Sequence, residues 1–180
     1  MPLTHLPAAK HAQVPWKNGL GVSQIIASDP AGAGYDELHW QVGSTQILAD
    51  SPFSSLPGLD RHFMVIEGAG VELTSIDEHG ATRTTPVYAQ RLPYQFRGDW
   101  KTDCRLMGGP VRVLNVIARR GKARASVAWM DGTTPSKAAG EILIAVHLAS
   151  LDAWTLSGPE SESAAIKPPP GPAVLIRIAS

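Results

Sequence analysis

Glycine and proline interrupt this chain so often that a long helix has little room to form. There are 17 glycines and 15 prolines in 180 residues, above their ordinary combined share of about 12%. The runs between them are short and rich in Val, Ile, Leu and Thr. Val71-Glu72-Leu73-Thr74 alternates with the two-residue period of a strand. His62–Ile66, Val111–Ala118, Glu141–Leu148 and Val174–Ile178 are mostly apolar and β-branched, the composition of strands with buried faces. A clean 3.6-residue stripe between caps is absent; Val22–Ser28 fits either one short helix or a strand, and Ser136–Gly140 at most a helical turn. Many short strands separated by turns predict an all-β sandwich or barrel. The length suits a single domain over residues 1–180, long enough to bury a substantial core.

The punctuation also predicts the connections. Gly68-Ala69-Gly70 reads as the turn of a hairpin between His62–Glu67 and Val71–Ile76. Asp29–Gly34 reads as a flexible hairpin connection. Pro168-Pro169-Pro170-Gly171-Pro172 cannot pair inside a sheet and reads as extended chain leading into a last strand at Ala173–Ile178.

Charge and cysteine content exclude several classes. Lys plus Arg and Asp plus Glu balance at 16 each, leaving no net field to attract nucleic acid or an anionic membrane. The densest basic stretch, Arg119, Arg120, Lys122 and Arg124, reads as a solvated turn between strands. Cys104 is the single cysteine, so no intrachain disulfide forms; within a strand-like run it reads as a buried structural thiol. Met1-Pro2-Leu3-Thr4-His5 lacks the basic and apolar regions of a signal peptide, and the longest apolar run, Ile142–Val146, is too short to cross a bilayer. A cytoplasmic protein is expected, and a homodimer is compatible with all of this.

Metal and nucleophile signatures are missing. The six histidines, His5, His11, His39, His62, His79 and His147, include no H-x-H or H-x-x-x-H pair. Only Asp60 and His62 share a strand face at ligand spacing, and Asp60 beside Arg61 reads better as an ion-paired turn. There is no G-x-S-x-G elbow and no phosphate loop beyond two bare G-x-G tripeptides. No metal, cofactor or catalytic residue is expected.

Three stretches carry the chemistry that remains. Trp16-Lys17-Asn18 precedes a glycine turn and offers a cation, an amide and an aromatic face suited to a small carboxylate; it reads equally as an exposed turn anchored by Trp16. Ser51–Arg61 is stiffened by Pro52 and Pro57, with Phe53 and Leu56 tying it to the core. It ends in Asp60-Arg61, where Arg61 could fork a carboxylate oriented by Asp60 or form a structural ion pair with it. Asn115 breaks an apolar strand, and because an unbonded buried amide is costly, it either satisfies a backbone group or faces a pocket.

In this order the stretches resemble the HutD/Ves family. Its pattern is a W-K-N-G-G-G turn, a tryptophan-containing strand, G-P-F-S-x-F-P-G-x-D-R, F-x-G-D, C-x-L-x-G-G-P and an Asn-bearing strand ending R-R-G. Trp16–Gly21, Trp40, Ser51–Arg61, Phe96–Asp99, Cys104–Pro110 and Asn115–Gly121 match it, covering residues 1–130 most closely. The resemblance implies a cupin-like jelly roll, a double-stranded β-helix with two cupin-type halves in one chain, and no cupin metal ligands. It implies a regulator of histidine utilisation that binds a small carboxylate such as formylglutamate. Trp16, Lys17, Asn18, Asp60, Arg61 and Asn115 would form that ligand site. The alternative is a metal-independent isomerase or hydrolase using Asp60, His62 and Lys17 as acid–base groups. Two departures stand out: Leu20 replaces the middle glycine of the turn, and Gln41 follows Trp40 where the family pattern carries arginine.

Overall fold

The computed structural model describes residues 3–16, 21–89, 92–130, 135–158 and 166–180. In chain order its strands are β1 (Leu3–Leu6), β2 (Ala12–Pro15), β3 (Val22–Asp29), β4 (Trp40–Ile47), β5 (Ser51–Pro52), β6 (Leu59–Glu67), β7 (Gly70–Ile76), β8 (Thr82–Tyr88), β9 (Tyr94–Arg97), β10 (Lys101–Leu106), β11 (Val111–Arg119), β12 (Arg124–Trp129), β13 (Glu141–His147), β14 (Ala153–Leu156) and β15 (Ala173–Ala179), and among the described residues a 3-10 turn lies at Ala8–Lys10. The expected all-β class is what the chain forms, and Val22–Ser28 resolves as strand β3.

The strands make three antiparallel sheets rather than one closed barrel. A six-stranded sheet runs β2-β3-β4-β11-β6-β9, a four-stranded sheet β5-β10-β7-β8, and a five-stranded sheet β1-β14-β13-β15-β12. The six-stranded sheet is the middle layer, and alternation along its strands decides which neighbour each residue meets. On β6, Phe63 and Val65 pack with Val71 and Leu73 of the four-stranded sheet. Met64 and Ile66 pack with Ile144, Val146 and Ile176 of the five-stranded sheet. On β11, Val113 goes one way and Leu114 and Val116 the other. Because both faces are covered, these strands read as continuous apolar runs in the sequence. Each such side chain, once buried, contributes about 1.5–3 kcal/mol.

The segment from residue 131 onward feeds two clusters: Ile144, Val146 and Ile176 pack on the middle layer, while Leu143, Ala145, Leu156 and Ile166 form a smaller cluster of their own. Its strands β13, β14 and β15 join β1 and β12 to make the covering sheet on one side of the middle layer. The proline run ends at Pro172, just before β15. That strand is flanked by β13 and β12, so its N–H groups are needed for pairing and a proline inside it would remove one.

One connection differs from the sequence reading. Gly68-Ala69 is a tight turn but closes no hairpin: β6 pairs with β11 and β9, whereas β7 pairs with β10 and β8. The turn passes the chain from the middle sheet to the four-stranded sheet. Gly68 has φ +94°, and a Cβ there would lie 2.7 Å from the Pro110 carbonyl oxygen. The glycine therefore serves a corner between layers, where backbone passes close to backbone. The Asp29–Gly34 segment does lie in a hairpin connection, since β3 and β4 pair up to Asp29 opposite Trp40.

Candidate functional site

The space between the four- and six-stranded sheets is apolar at its centre and polar along two rows of the middle sheet. Gln41, Ile117, Arg61 and Phe96 stand opposite one another on β4, β11, β6 and β9. In the next row stand Gly43, Asn115, Phe63 and Tyr94. Directly paired residues point to the same side, so Arg61 and Asn115 share a face at a diagonal separation of roughly 7–8 Å. Gly43 contributes no side chain beside Asn115.

Arg61 is 7% exposed. Its guanidinium carbon lies 4.8 Å from the centroid of the Phe53 ring and 5.1 Å from that of Phe96, where ring faces partly compensate for lost water. No carboxylate pairs with Arg61 among the described residues, and its Nε is buried without a hydrogen-bond partner. Burial lowers its pKa from 12.5 to about 10, with small opposing effects from Tyr35 and Cys104. It therefore remains a cation at neutral pH. The buried Asn115 Oδ1 and Ser51 Oγ also have no partner. Ser51 pairs with Cys104, which packs into this interior. Of five such orphaned side-chain atoms among the described residues, three thus belong to side chains on strand faces turned toward this interior. Native proteins rarely leave buried polar atoms unpaired.

Trp16 reaches the same interior. Its ring packs against the cluster containing Ile47 and Phe63, and its Nε1–H donates to Ser23 Oγ at 2.9 Å. Ser23 Oγ lies 2.8 Å from Thr45 Oγ1 on β4. The Trp16 N–H donates to the Gly21 carbonyl at 2.9 Å, closing the two ends of the glycine turn. Lys17 and Asn18, the other expected ligands on that turn, lie outside the described residues, as does Leu20. Gln41 does sit in Arg61's row, on the far side of Ile117 of β11, so an arginine there would put a second cation on the same face.

Asp60 corrects the expected pairing. It occupies the opposite face of β6 from Arg61, and its Oδ1 accepts from Arg120 Nη1 at 2.6 Å. It neither orients nor neutralises Arg61, because adjacent strand residues point to opposite sides. Arg120 also donates to Asp99 Oδ2 at 2.5 Å, while the Gly58 N–H donates to Asp99 Oδ1 at 3.1 Å. Burial raises the Asp99 carboxyl, but the hydrogen bonds from Arg120 and Gly58 more than offset this and hold it below its usual value. The turn after β11 is thus not simply solvated: Arg120 bridges two acids, and Arg119 donates to the carbonyls of Leu38 and Tyr35. The P-G-x-D-R, F-x-G-D and R-R-G motifs meet in this clasp. Gly98 is required within it, since a Cβ would lie 2.6 Å from the Leu56 carbonyl oxygen and 2.8 Å from that of Leu59.

Other groups are chemically quiet. Cys104 is buried, which pushes its thiol up to about 12, so it is not a nucleophile at neutral pH. Among the described residues no cluster of three His, Cys, Asp or Glu side chains could hold a metal ion. A groove of about 390 Å³ on the outer side of the four-stranded sheet is lined by Asp50, Glu72 and Asp103. Arg105 also lines it but is paired with Glu72 at 2.8 Å, so the remaining carboxylates leave it unsuited to an acid. Sequence reasoning assigned no role to Ser23, Thr45 or Ser51: Ser23 stands between Val22 and Gln24 and Thr45 between Ser44 and Gln46, so no local pattern marked them.

Stacked antiparallel sheets enclosing a sparsely polar interior define a cupin-like β protein. Over 97% of its length the chain superimposes on an oxalate decarboxylase structure with a TM-score of 0.57, at 8% identity, a likeness of fold alone that covers 76% of that chain. The chain belongs to the HutD family, whose model matches residues 8–166. HutD from Pseudomonas fluorescens SBW25 is 26% identical, with a TM-score of 0.78 over 98% of both chains. A conserved protein of unknown function from Pseudomonas aeruginosa PAO1 is 25% identical, with a TM-score of 0.79 over 99% of this chain and 98% of that one. A 21.2 kDa protein of the hutC 3′ region of Pseudomonas putida is 32% identical over 129 residues, 72% of this chain and 65% of that relative. Protein Ves from Citrobacter koseri is 29% identical over 119 residues, 66% of this chain and 59% of its own length. The chain thus matches a little under two thirds of the length of these two relatives.

Proposed function

We propose that this chain is a non-catalytic binding protein that holds a small carboxylate on Arg61 and serves in the regulation of histidine utilisation. The observation that carries the reading is a buried guanidinium with no counter-ion among the described residues and an unpartnered Nε. Removing one charge from water without a partner costs several kcal/mol, a cost that a bound carboxylate offsets through charge-assisted hydrogen bonds. Asn115 Oδ1 supplies the complementary acceptor, so a ligand carrying an N–H close to its carboxylate meets both groups. N-formylglutamate has that pairing. Trp16 borders the same space, and Lys17 and Asn18, next in sequence, would supply the second cation and an amide for a dicarboxylate. A neighbouring hutC region in the Pseudomonas putida relative supports the pathway, and a cytoplasmic location suits a sensor of an intracellular intermediate.

Calorimetric titration with N-formylglutamate, alongside glutamate and succinate, tests this. Saturable binding is expected, and Arg61→Met should weaken it by about 2–5 kcal/mol, the usual effect of truncating a buried charged contact. If millimolar ligand gives neither heat nor a rise in the melting temperature of the wild-type protein, the reading is wrong.

A further inference from the structure

The polar line that begins at Arg61 and Asn115 continues to Thr45. Strand pairing sets these three residues in successive rows of one sheet face, each on the next strand. Ile117 stands between Arg61 and Gln41, Asn115 between Phe63 and Gly43, and Val113 between Val65 and Thr45. The line therefore crosses β6, β11 and β4 diagonally, in steps of roughly 7–8 Å. Gly43 leaves the wall bare beside its middle. We infer that Thr45 is a third ligand-binding residue of the Arg61 site, its hydroxyl donating to an acceptor at the far end of an elongated acid. The inference rests on the carboxylate reading of Arg61 and adds to it the class of acid: one with a second acceptor remote from the first carboxylate.

Counting hydrogens along the chain from Trp16 to Thr45 shows why an acceptor is called for. An indole nitrogen only donates, so Ser23 Oγ accepts from Trp16 Nε1–H. The Ser23 and Thr45 hydroxyls then share one bond of 2.8 Å, which either can donate. Three hydrogens serve two bonds, and one hydroxyl hydrogen of the pair is left without an acceptor among the described residues. Thr45 is 7% exposed, so water has little access to complete the set from outside. An acceptor arriving at Thr45 settles the chain in one direction, Trp16 to Ser23 to Thr45 to ligand, with every hydrogen bonded. Ser23 is then a positioning residue, acting on the ligand through Thr45. A cation at one end of the line and a hydroxyl donor at the other fit a dicarboxylate. An acid ending in a hydrocarbon tail would leave the Thr45 end unsatisfied.

The probes are N-formylglutamate and N-formylnorvaline. The second keeps the α-carboxylate and the amide N–H but ends in a methyl group where the first has its other carboxylate. Calorimetric titration of the full chain with both, as wild type, Thr45→Val and Thr45→Ser, separates a ligand contact from a structural role. Thr45→Val should weaken N-formylglutamate about tenfold, or 1.4 kcal/mol, and leave N-formylnorvaline unchanged, which also shows that the variant is folded. Thr45→Ser, which restores the hydroxyl, should recover the binding. Equal weakening of both ligands, or of neither, overturns the assignment of Thr45 while the Arg61 reading stands. A wild-type protein that binds neither ligand overturns both.

Discussion

Arg61 is a costly residue for the fold that contains it. Lowering its pKa from 12.5 to about 10 by burial corresponds to about 3 kcal/mol against the folded, charged state. The folded pKa of this cation lies below its unfolded value, so at pH between about 10 and 12.5 the unfolded chain binds more protons. Stability attributable to this residue therefore rises with pH across that window, and the full penalty applies below it. Arg61→Met keeps the packing against Phe53 and Phe96 while removing the charge. The ligand-free variant is expected to be more stable than wild type at neutral pH by about 1–3 kcal/mol, measured by urea denaturation, with the gap narrowing as pH climbs above 10. A variant less stable than wild type would show that the guanidinium is a structural element. Asn115 was legible in the sequence as an amide set in an apolar run, and Arg61 only as half of a charge pair at the start of a strand. That Asp60 turns away was legible only through strand alternation, since neighbours in sequence suggest a pair that neighbours in space do not form.

At the scale of elements, the family motifs mark joints more than ligands. Asp60, Arg120, Asp99 and Gly58 tie β6, the turn after β11 and the turn after β9 together. Gly98 lets the backbones meet, with its N–H bonded to Leu59 and its carbonyl to the Leu56 N–H, both at 2.7 Å. Gly98→Ala must push these segments apart and is expected to cost about 1–3 kcal/mol, the usual price of overpacking, visible as a lowered urea midpoint with an unchanged slope. No loss would mean that the joint yields more easily than its geometry implies. Strand positions were readable because β-branched runs and their punctuation are local signals. Which strands pair was not, because the Gly68 corner and a hairpin turn carry the same glycine signature while sending the chain to different sheets.

At the scale of the molecule, the all-β architecture followed from the spacing of glycines and prolines, but the layering did not, since no local pattern records what covers a strand. The five-stranded sheet buries Met64, Ile66, Leu114 and Val116 of the middle layer. Ending the chain before Arg124 removes β12 to β15 and leaves that face bare. The shortened protein is expected to bind a hydrophobic dye strongly and to aggregate; a dye-silent, soluble monomer would refute the layered account. The middle sheet is also a partition with a chamber on each side, and its strands alternate which chamber each residue furnishes. A one-residue slip of β6 would exchange the contents of both chambers together, bringing Arg61 among the hydrocarbons of one and His62 among the aromatic rings of the other. Neither compartment could then be refurnished alone: the register that settles one chamber dictates the inventory of its neighbour.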